Sequence, residues 1–308
     1  MSHLIDVRTE KEFSKGHIPG AHLIPLFCDN EHQKVGALYK SAGFDAAFLK
    51  ALDFVGPKLS ILIRHLEPIA NKTDSITLYC ARGGMRSQAM QWLYRQAGYQ
   101  VNVIAGGYKR YRERVLNSFK SPLKLRVICG LTGTGKTKHL IKLSQQGIQI
   151  LNLEDIARHR GSAFGQTLQP QPTTQQFENN LHAHLSTLDP HQTIWVEDES
   201  QMIGQCQIPK TLYEQMIKAP STLLEMSIQD RIGNILKEYA PKSKEEVGLR
   251  IEQILKISKR LGLERTKYAI TAVKNGQFGL AVSLILPYYD KTYGYGLAIR
   301  QKNRLIKN

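Results

Sequence analysis

Short apolar, β-branched runs alternate with amphipathic stretches along the first third of the chain, and this alternation sets the expected architecture. Leu4-Ile5-Asp6-Val7-Arg8 reads as a buried strand ending in charge, with Thr9 at the N-cap of a helix and Glu12 at the capping-box position. A turn at Gly16–Ala21 leads to a second strand around His22 to Ile24, and Val35–Lys40 and Phe44–Leu66 predict helix. Ser75–Tyr79 predicts a strand. Met90, Leu93, Tyr94 and Ala97 recur at helical spacing, Gln100–Ile104 is a further strand, and Tyr108–Phe119 a basic helix. Such alternation predicts a parallel sheet with helices on both faces. Lys120-Ser121-Pro122 interrupts it and marks the expected boundary between a domain at 1–119 and a second at 123–308. The second repeats the pattern with strands at Leu125–Cys129, Ile148–Leu153 and Thr193–Val196. From Ser227 onward helices dominate, at Asp230–Tyr239, Lys244–Leu261 and Glu264–Leu286, the last broken at Gly276. The fold class is α/β, two parallel-sheet domains with a helical C-terminal part.

Two loops carry the chemistry. The strand ending at Tyr79 delivers Cys80 to the turn Ala81-Arg82-Gly83-Gly84-Met85-Arg86-Ser87, after which a helix starts. The glycines Gly83 and Gly84 let backbone amides and the helix N-terminus converge on the sulfur, and Arg82 and Arg86 add positive charge. Such surroundings lower a thiol pKa and hold an anion, so Cys80 is a candidate nucleophile. The second loop is Gly130-Leu131-Thr132-Gly133-Thr134-Gly135-Lys136-Thr137, a complete G-x-x-x-x-G-K-T phosphate-binding loop between strand and helix. Its amides would cradle a di- or triphosphate, Lys136 would neutralise it, and the Thr137 hydroxyl can ligate Mg²⁺. A metal-holding acid is expected at the end of a neighbouring strand; Glu197-Asp198-Glu199 follows Val196, with Asp198 and Glu197 favoured over a solvated acidic turn. Arg158-His159-Arg160, at the exit of another strand, offers a second anion contact, or His159 is a surface residue. No metal site beyond this emerges from the spacing of His and Cys.

Composition narrows the partners. The 308 residues include 42 Lys and Arg against 26 Asp and Glu, a net charge of +16, which suits a polyanion, nucleic acid ahead of membrane. Lys109–Arg126 holds seven basic residues and one acid, Glu113, while Lys291, Arg300, Lys302, Arg304 and Lys307 line a tail without a carboxylate side chain. Basic helices with Lys256, Lys259, Arg260, Arg265 and Lys267 suit a phosphate backbone or a solvated face equally, and Tyr288, Tyr289 and Tyr293 suit base stacking or core packing. Four dispersed cysteines, the lack of a leader-like N-terminus and the lack of a long apolar run point to a soluble protein of the reducing cytoplasm.

Asp6-Val7-Arg8, Glu12-Phe13 and Gly16-His17-Ile18-Pro19-Gly20-Ala21, with Cys80 and Arg86 flanking five residues, resemble a rhodanese domain. The same C-x5-R spacing occurs in cysteine-dependent phosphatases, but Tyr79 stands where those enzymes usually have His. With the phosphate loop come Gly106-Gly107-Tyr108-Lys109, Arg158 to Gly165, Val196-Glu197-Asp198-Glu199-Ser200 with Ile203-Gly204, and Tyr288-Tyr289-Asp290. Together these resemble the tRNA 2-selenouridine synthase family, a rhodanese domain fused to a P-loop NTPase-like domain, over nearly the whole chain; the chain looks shorter at both ends than a typical member. The resemblance implies an enzyme, a transferase that converts 2-thiouridine at the wobble position of the tRNA anticodon to 2-selenouridine. The route is an S-geranylated intermediate, with geranyl diphosphate and then selenophosphate as co-substrates. It further implies that Cys80 is essential, that Arg82, Gly83, Gly84 and Arg86 hold selenophosphate, and that Gly130, Gly133, Thr134, Gly135, Lys136 and Thr137 hold the donor's diphosphate or another phosphate ligand. Partners would be the anticodon stem-loop and, transiently, a selenophosphate-producing enzyme; whether a nucleotide binds stays open. Two alternatives stand beside this: a rhodanese-type sulfurtransferase coupled to a P-loop NTPase or kinase in tRNA thiolation, and a non-catalytic RNA-binding or redox-sensing protein with an oxidisable Cys80.

Overall fold

The computed structural model describes residues 1–159, 169–241, 243–302 and 305–306, with the side chains of 238, 239, 292, 293, 295–302 and 305–306 outside the description. The chain divides into two compact units, Met1–Ser118 with Glu178–Asn180, and Phe119–Phe177 with Leu181–Asn308.

The first unit runs β1 (Ser2–Asp6), α1 (Glu10–Lys15), β2 (His22–Leu23), α2 (Asp29–Val55), α3 (Leu59–Leu66), β3 (Ser75–Tyr79), α4 (Met85–Gln96), β4 (Gln100–Val103) and α5 (Gly107–Ser118). Its four strands form a parallel sheet in the order β2-β1-β3-β4. Leu66, Ile76, Leu78, Met90 and Tyr94 are its buried centre, and each such side chain contributes ~1.5–3 kcal/mol by leaving water. Helix α1 starts as its sequence dictates, with Thr9 Oγ1 accepting from Glu12 N and Glu12 accepting from Thr9 N. The segment read as two helical stretches around Gly43 is one kinked element, because Gly43 sits at φ 85° inside α2.

The second unit runs β5 (Leu125–Cys129), α6 (Lys136–Gln145), β6 (Ile150–Leu151), α7 (Leu153–Ala157), α8 (Thr174–Leu185), β7 (Ile194–Glu197), β8 (Met202–Ile203), β9 (Cys206–Gln207), α9 (Lys210–Lys218), β10 (Ser221–Leu223), α10 (Ile228–Tyr239), α11 (Lys244–Lys256), α12 (Ser258–Leu261), α13 (Leu263–Lys274), α14 (Phe278–Lys302) and β11 (Leu305–Ile306). A parallel sheet has the order β11-β10-β5-β7-β6, which places β5 between β10 and β7. Strand β10 was not expected: three residues are too few to show alternation, and Ser221 and Thr222 are buried polar residues. Helix α14 also continues past the expected end at Leu286 through Pro287. A proline removes one ladder hydrogen bond, but Ile285, Leu286 and Tyr289 on both sides of it are buried in the helical core and hold the register. Among the described residues no helix is long and apolar enough to cross a membrane.

Candidate functional site

Each unit carries a strand-to-helix loop at the C-terminal end of a central strand, where parallel α/β sheets bind ligands. In the first unit β1 and β3 lie side by side, and the buried Asp6–Arg8 pair fixes their ends. Arg8 Nη2 is 2.6 Å from Asp6 Oδ2 and donates to Gly16 O at 2.8 Å, and the guanidinium lies 3.8 Å over the Tyr108 ring. Tyr79 Oη accepts from Ile18 N at 3.1 Å. The motif residues around Asp6 and Gly16 thus form a frame for the strand that presents Cys80.

Cys80 is 3% exposed. Its Sγ accepts from Gly84 N at 3.3 Å, and the Ser87 hydroxyl donates to it at 3.2 Å. Burial pushes the thiol pKa up. Hydrogen bonds from the Ser87 hydroxyl and from the amides of Arg82, Ser87 and Gly84 outweigh burial, and the thiol lies below its ordinary value. The loop is gripped from behind by the start of α5, where Tyr108 N donates to Cys80 O and Lys109 N to Ala81 O, both at 2.9 Å. Gly107 makes this grip feasible: at φ 56°, any Cβ would strike Cys80 O and lie 2.5 Å from Gly83 N.

The two arginines differ. Arg86 makes a two-pronged pair with Glu12, Nη1 to Oε2 at 2.6 Å and Nη2 to Oε1 at 3.1 Å, whereas Arg82 is exposed. Burial raises the Glu12 carboxyl and the Arg86 bonds lower it more, so it is a committed anion. Arg86, expected to add positive charge to the loop, also braces α4 against the start of α1, and the Ser87 hydroxyl and the loop amides are the groups that lower the thiol.

In the second unit the phosphate loop curls from β5 into α6. Gly133, at φ 87°, packs so tightly on α10 that a Cβ would lie 2.8 Å from Arg231 O. Lys136 Nζ donates to Gly130 O at 3.0 Å, and Thr134 Oγ1 to Leu131 O at 2.8 Å. Thr137 Oγ1 lies 2.9 Å from Glu197 Oε2 and 3.0 Å from Glu154 Oε2. Glu154, Glu197 and Glu199 bring one carboxylate oxygen each to within 4.8 Å of the others. Burial raises Glu197. It also raises Glu199, well above the usual carboxylate range, with the charges of Glu154 and Glu197 adding to the effect. Glu199 Oε2 is buried without a hydrogen-bond partner. Of the two acids favoured from sequence, Glu197 reaches Thr137, while half-buried Asp198 is outside this group; Glu154 joins from the first turn of α7 and Glu199 from beyond β7.

His159 is buried, 8% exposed, with Nδ1 lacking a hydrogen-bond partner, and burial together with Lys256 lowers its pKa. Arg158 is exposed and ends α7 at φ 50°. Arg160 and the Gly161–Gly165 part of the motif lie outside the described residues, as do the side chains of Tyr293, Arg300, Lys302, Arg304 and Lys307. Tyr289 is buried in the helical core rather than offered to bases, and Asp290 pairs with Arg231.

Comparison with known proteins agrees with these two loops. Residues 1–114 match the rhodanese-like domain, and residues 123–308 match the tRNA 2-selenouridine synthase AAA domain. Curated relatives named tRNA 2-selenouridine synthase include that of Marinobacter nauticus, 32% identical over 99% of this chain and 90% of its own. That of Shewanella sediminis is 34% identical over 99% and 90%, and that of Pseudomonas syringae pv. tomato 35% identical over 95% and 87%. With matches of this extent in both units, the chain belongs to the tRNA 2-selenouridine synthase family.

Proposed function

We propose that this enzyme replaces the sulfur of 2-thiouridine at the tRNA wobble position by selenium in two transfers, using geranyl diphosphate and then selenophosphate. In the first, the thiocarbonyl sulfur attacks C1 of the geranyl group, the C–O bond to diphosphate breaks, diphosphate leaves with the electron pair, and the N3 proton of the base is released to water. Lys136, Thr134 and the loop amides from Gly130 to Gly135 bind that leaving group and stabilise its charge. Alkylation matters because a thiocarbonyl sulfur is a poor leaving group, whereas an S-alkyl group departs as a thiol. In the second transfer, selenium of selenophosphate attacks C2 of the base, the geranylthio group leaves with its electron pair and takes a proton, and water removes the phosphoryl group from selenium. We assign Cys80 to this second transfer, handling the exchanged chalcogen, with selenophosphate held at Arg82, Gly83 and Gly84. Arg86 positions the loop through Glu12.

Glu154, Glu197 and Glu199 with the Thr137 hydroxyl are hard oxygen donors that fit Mg²⁺, and the unpartnered Glu199 oxygen and the mutual repulsion of the three acids are what a cation would relieve. Bound there, Mg²⁺ would neutralise diphosphate charge. The +16 net charge supports tRNA as the macromolecular partner, the cytoplasm is its setting, and a selenophosphate-producing enzyme is the transient supplier.

The observation that carries the reading is a buried thiol, held below its ordinary pKa by a hydroxyl and three amides, in the same chain as a complete phosphate loop. Cys80→Ala and Lys136→Ala test it separately. With a thiolated anticodon stem-loop and both donors, Cys80→Ala is expected to accumulate the S-geranyl nucleoside and Lys136→Ala to leave the 2-thiouridine unreacted, read by mass spectrometry. Normal geranylation by Lys136→Ala would remove the phosphate loop from the first transfer.

A further inference from the structure

Helices α10, α11, α13 and α14 enclose a cavity of about 650 Å³ counted out to its mouth, and Thr132 of the phosphate loop is part of its lining. The walls are hydrocarbon: Ile235 and Leu236 from α10, Ile254 from α11, and Ala281, Ile285 and Leu286 from α14. Thr132, Arg250 and Tyr289 are the polar residues among the lining.

The cavity and the loop share a wall. Arg231 Nε donates to Thr132 O at 2.8 Å, Asn234 Nδ2 donates to Gly133 O at 3.0 Å, and a Cβ on Gly133 would lie 2.9 Å from Ile235 Cδ1. Arg231, 2% exposed, is locked in turn by Asp290 of α14. One face of α10 therefore holds the phosphate loop, and its next residues line the cavity. An anion on the loop amides has an apolar chamber beside it.

A nucleoside on that diphosphate would bring ribose hydroxyls and base edges into walls that offer few hydrogen-bond partners, at a cost of about 1–3 kcal/mol for each buried polar group left unpaired. A hydrocarbon tail gains instead about fourfold in affinity per buried methylene. We propose that this cavity binds the hydrocarbon chain of a prenyl diphosphate, so that the second unit selects its donor by tail as well as by head. The inference rests on the reading above that the donor is geranyl diphosphate, and adds where its chain lies and which residues set its length.

The test uses Val282→Trp, which fills the cavity from α14, and Phe278→Ala, which enlarges it. The KM for geranyl diphosphate and the inhibition constant of inorganic diphosphate are measured in geranylation of a thiolated stem-loop. Excluding three or four methylenes, Val282→Trp should raise the KM about 100-fold, while inorganic diphosphate changes by less than about twofold. Phe278→Ala should shift the preferred donor toward the fifteen-carbon farnesyl diphosphate, a readout that general damage to the fold does not produce. An unaltered KM in Val282→Trp with an unaltered chain-length preference in Phe278→Ala would overturn the cavity assignment and leave the donor reading standing. A wild-type chain that binds inorganic diphosphate yet transfers no prenyl group would overturn the donor reading and the cavity assignment with it.

Discussion

Ser87→Ala is the sharpest perturbation of the Cys80 loop, because it deletes one hydroxyl and leaves the backbone in place. The Ser87 hydroxyl donates to Cys80 Sγ at 3.2 Å, and both residues are buried, at 0% and 3% exposure, so solvent cannot replace the lost donor. A hydrogen bond to a charged group contributes ~1.5–3 kcal/mol. At 1.36 kcal/mol per factor of ten, its loss should raise the thiol pKa and cut the thiolate fraction below the midpoint by about ten- to a hundredfold. The sign follows from which form is served: the hydroxyl donates to the thiolate, so removing it favours the thiol. Linkage gives a second consequence. A thiol lowered in the folded state stabilises the fold above its unfolded-state pKa, and this contribution is lost as pH falls through the folded value. Ser87→Ala should therefore lower stability at alkaline pH and change it less under acid. The assay is the pH dependence of Cys80 alkylation by iodoacetamide, read on the Cys80 peptide by mass spectrometry, in a Cys28→Ser background because Cys28 is exposed. A midpoint unchanged by Ser87→Ala would show that the amides alone hold the thiolate and would refute the assigned role of the hydroxyl.

Other outcomes follow from the same geometry. Gly107→Ala, at φ 56° and against Cys80 O, should cost ~2–4 kcal/mol in denaturant unfolding and abolish fast alkylation of Cys80. Arg231→Ala removes the brace on Thr132 and leaves Asp290 unpaired; about 3 kcal/mol of stability should be lost, with weaker binding of inorganic diphosphate by calorimetry. Burial and the charges of its acidic neighbours raise the Glu199 carboxyl, so stability should decline as pH rises from the unfolded carboxylate pKa toward the folded one. Glu199→Gln should flatten that decline, and Mg²⁺ should raise Tm more at about pH 8 than at about pH 6 in the wild type but not in the variant, by calorimetric scans.

Local chemistry was legible in the sequence. The phosphate loop is a spacing fixed by one turn of backbone, and the Thr9–Glu12 box needs four adjacent residues. What depends on residues far apart was not. Arg86 meets Glu12 across 74 positions, and no local pattern signals that it acts as a brace. Ser87 was visible in the Cys80 motif, but only its geometry shows that it is the main donor to the sulfur. Glu154 and Glu199 converge on Thr137 from segments 45 positions apart, and no local signal separated Glu199 from Asp198. The cavity is lined by aliphatic residues on four helices that pattern alone cannot distinguish from a closed core. Gly106-Gly107 stands out in the sequence only as part of a motif; that Gly107 lies against the Cys80 loop, where a Cβ would strike backbone, depends on how the start of α5 folds back.

If one chain exchanges sulfur for selenium through an S-geranyl nucleoside, with Cys80 serving the second transfer, that transfer can be run alone. The most direct measurement supplies a stem-loop already S-geranylated at the wobble uridine, with selenophosphate as the sole donor, and weighs the released nucleoside. The wild type and Lys136→Ala should release 2-selenouridine and geranylthiol, and Cys80→Ala should return unreacted S-geranyl nucleoside. Full conversion by Cys80→Ala, or no conversion by the wild type, would contradict this assignment.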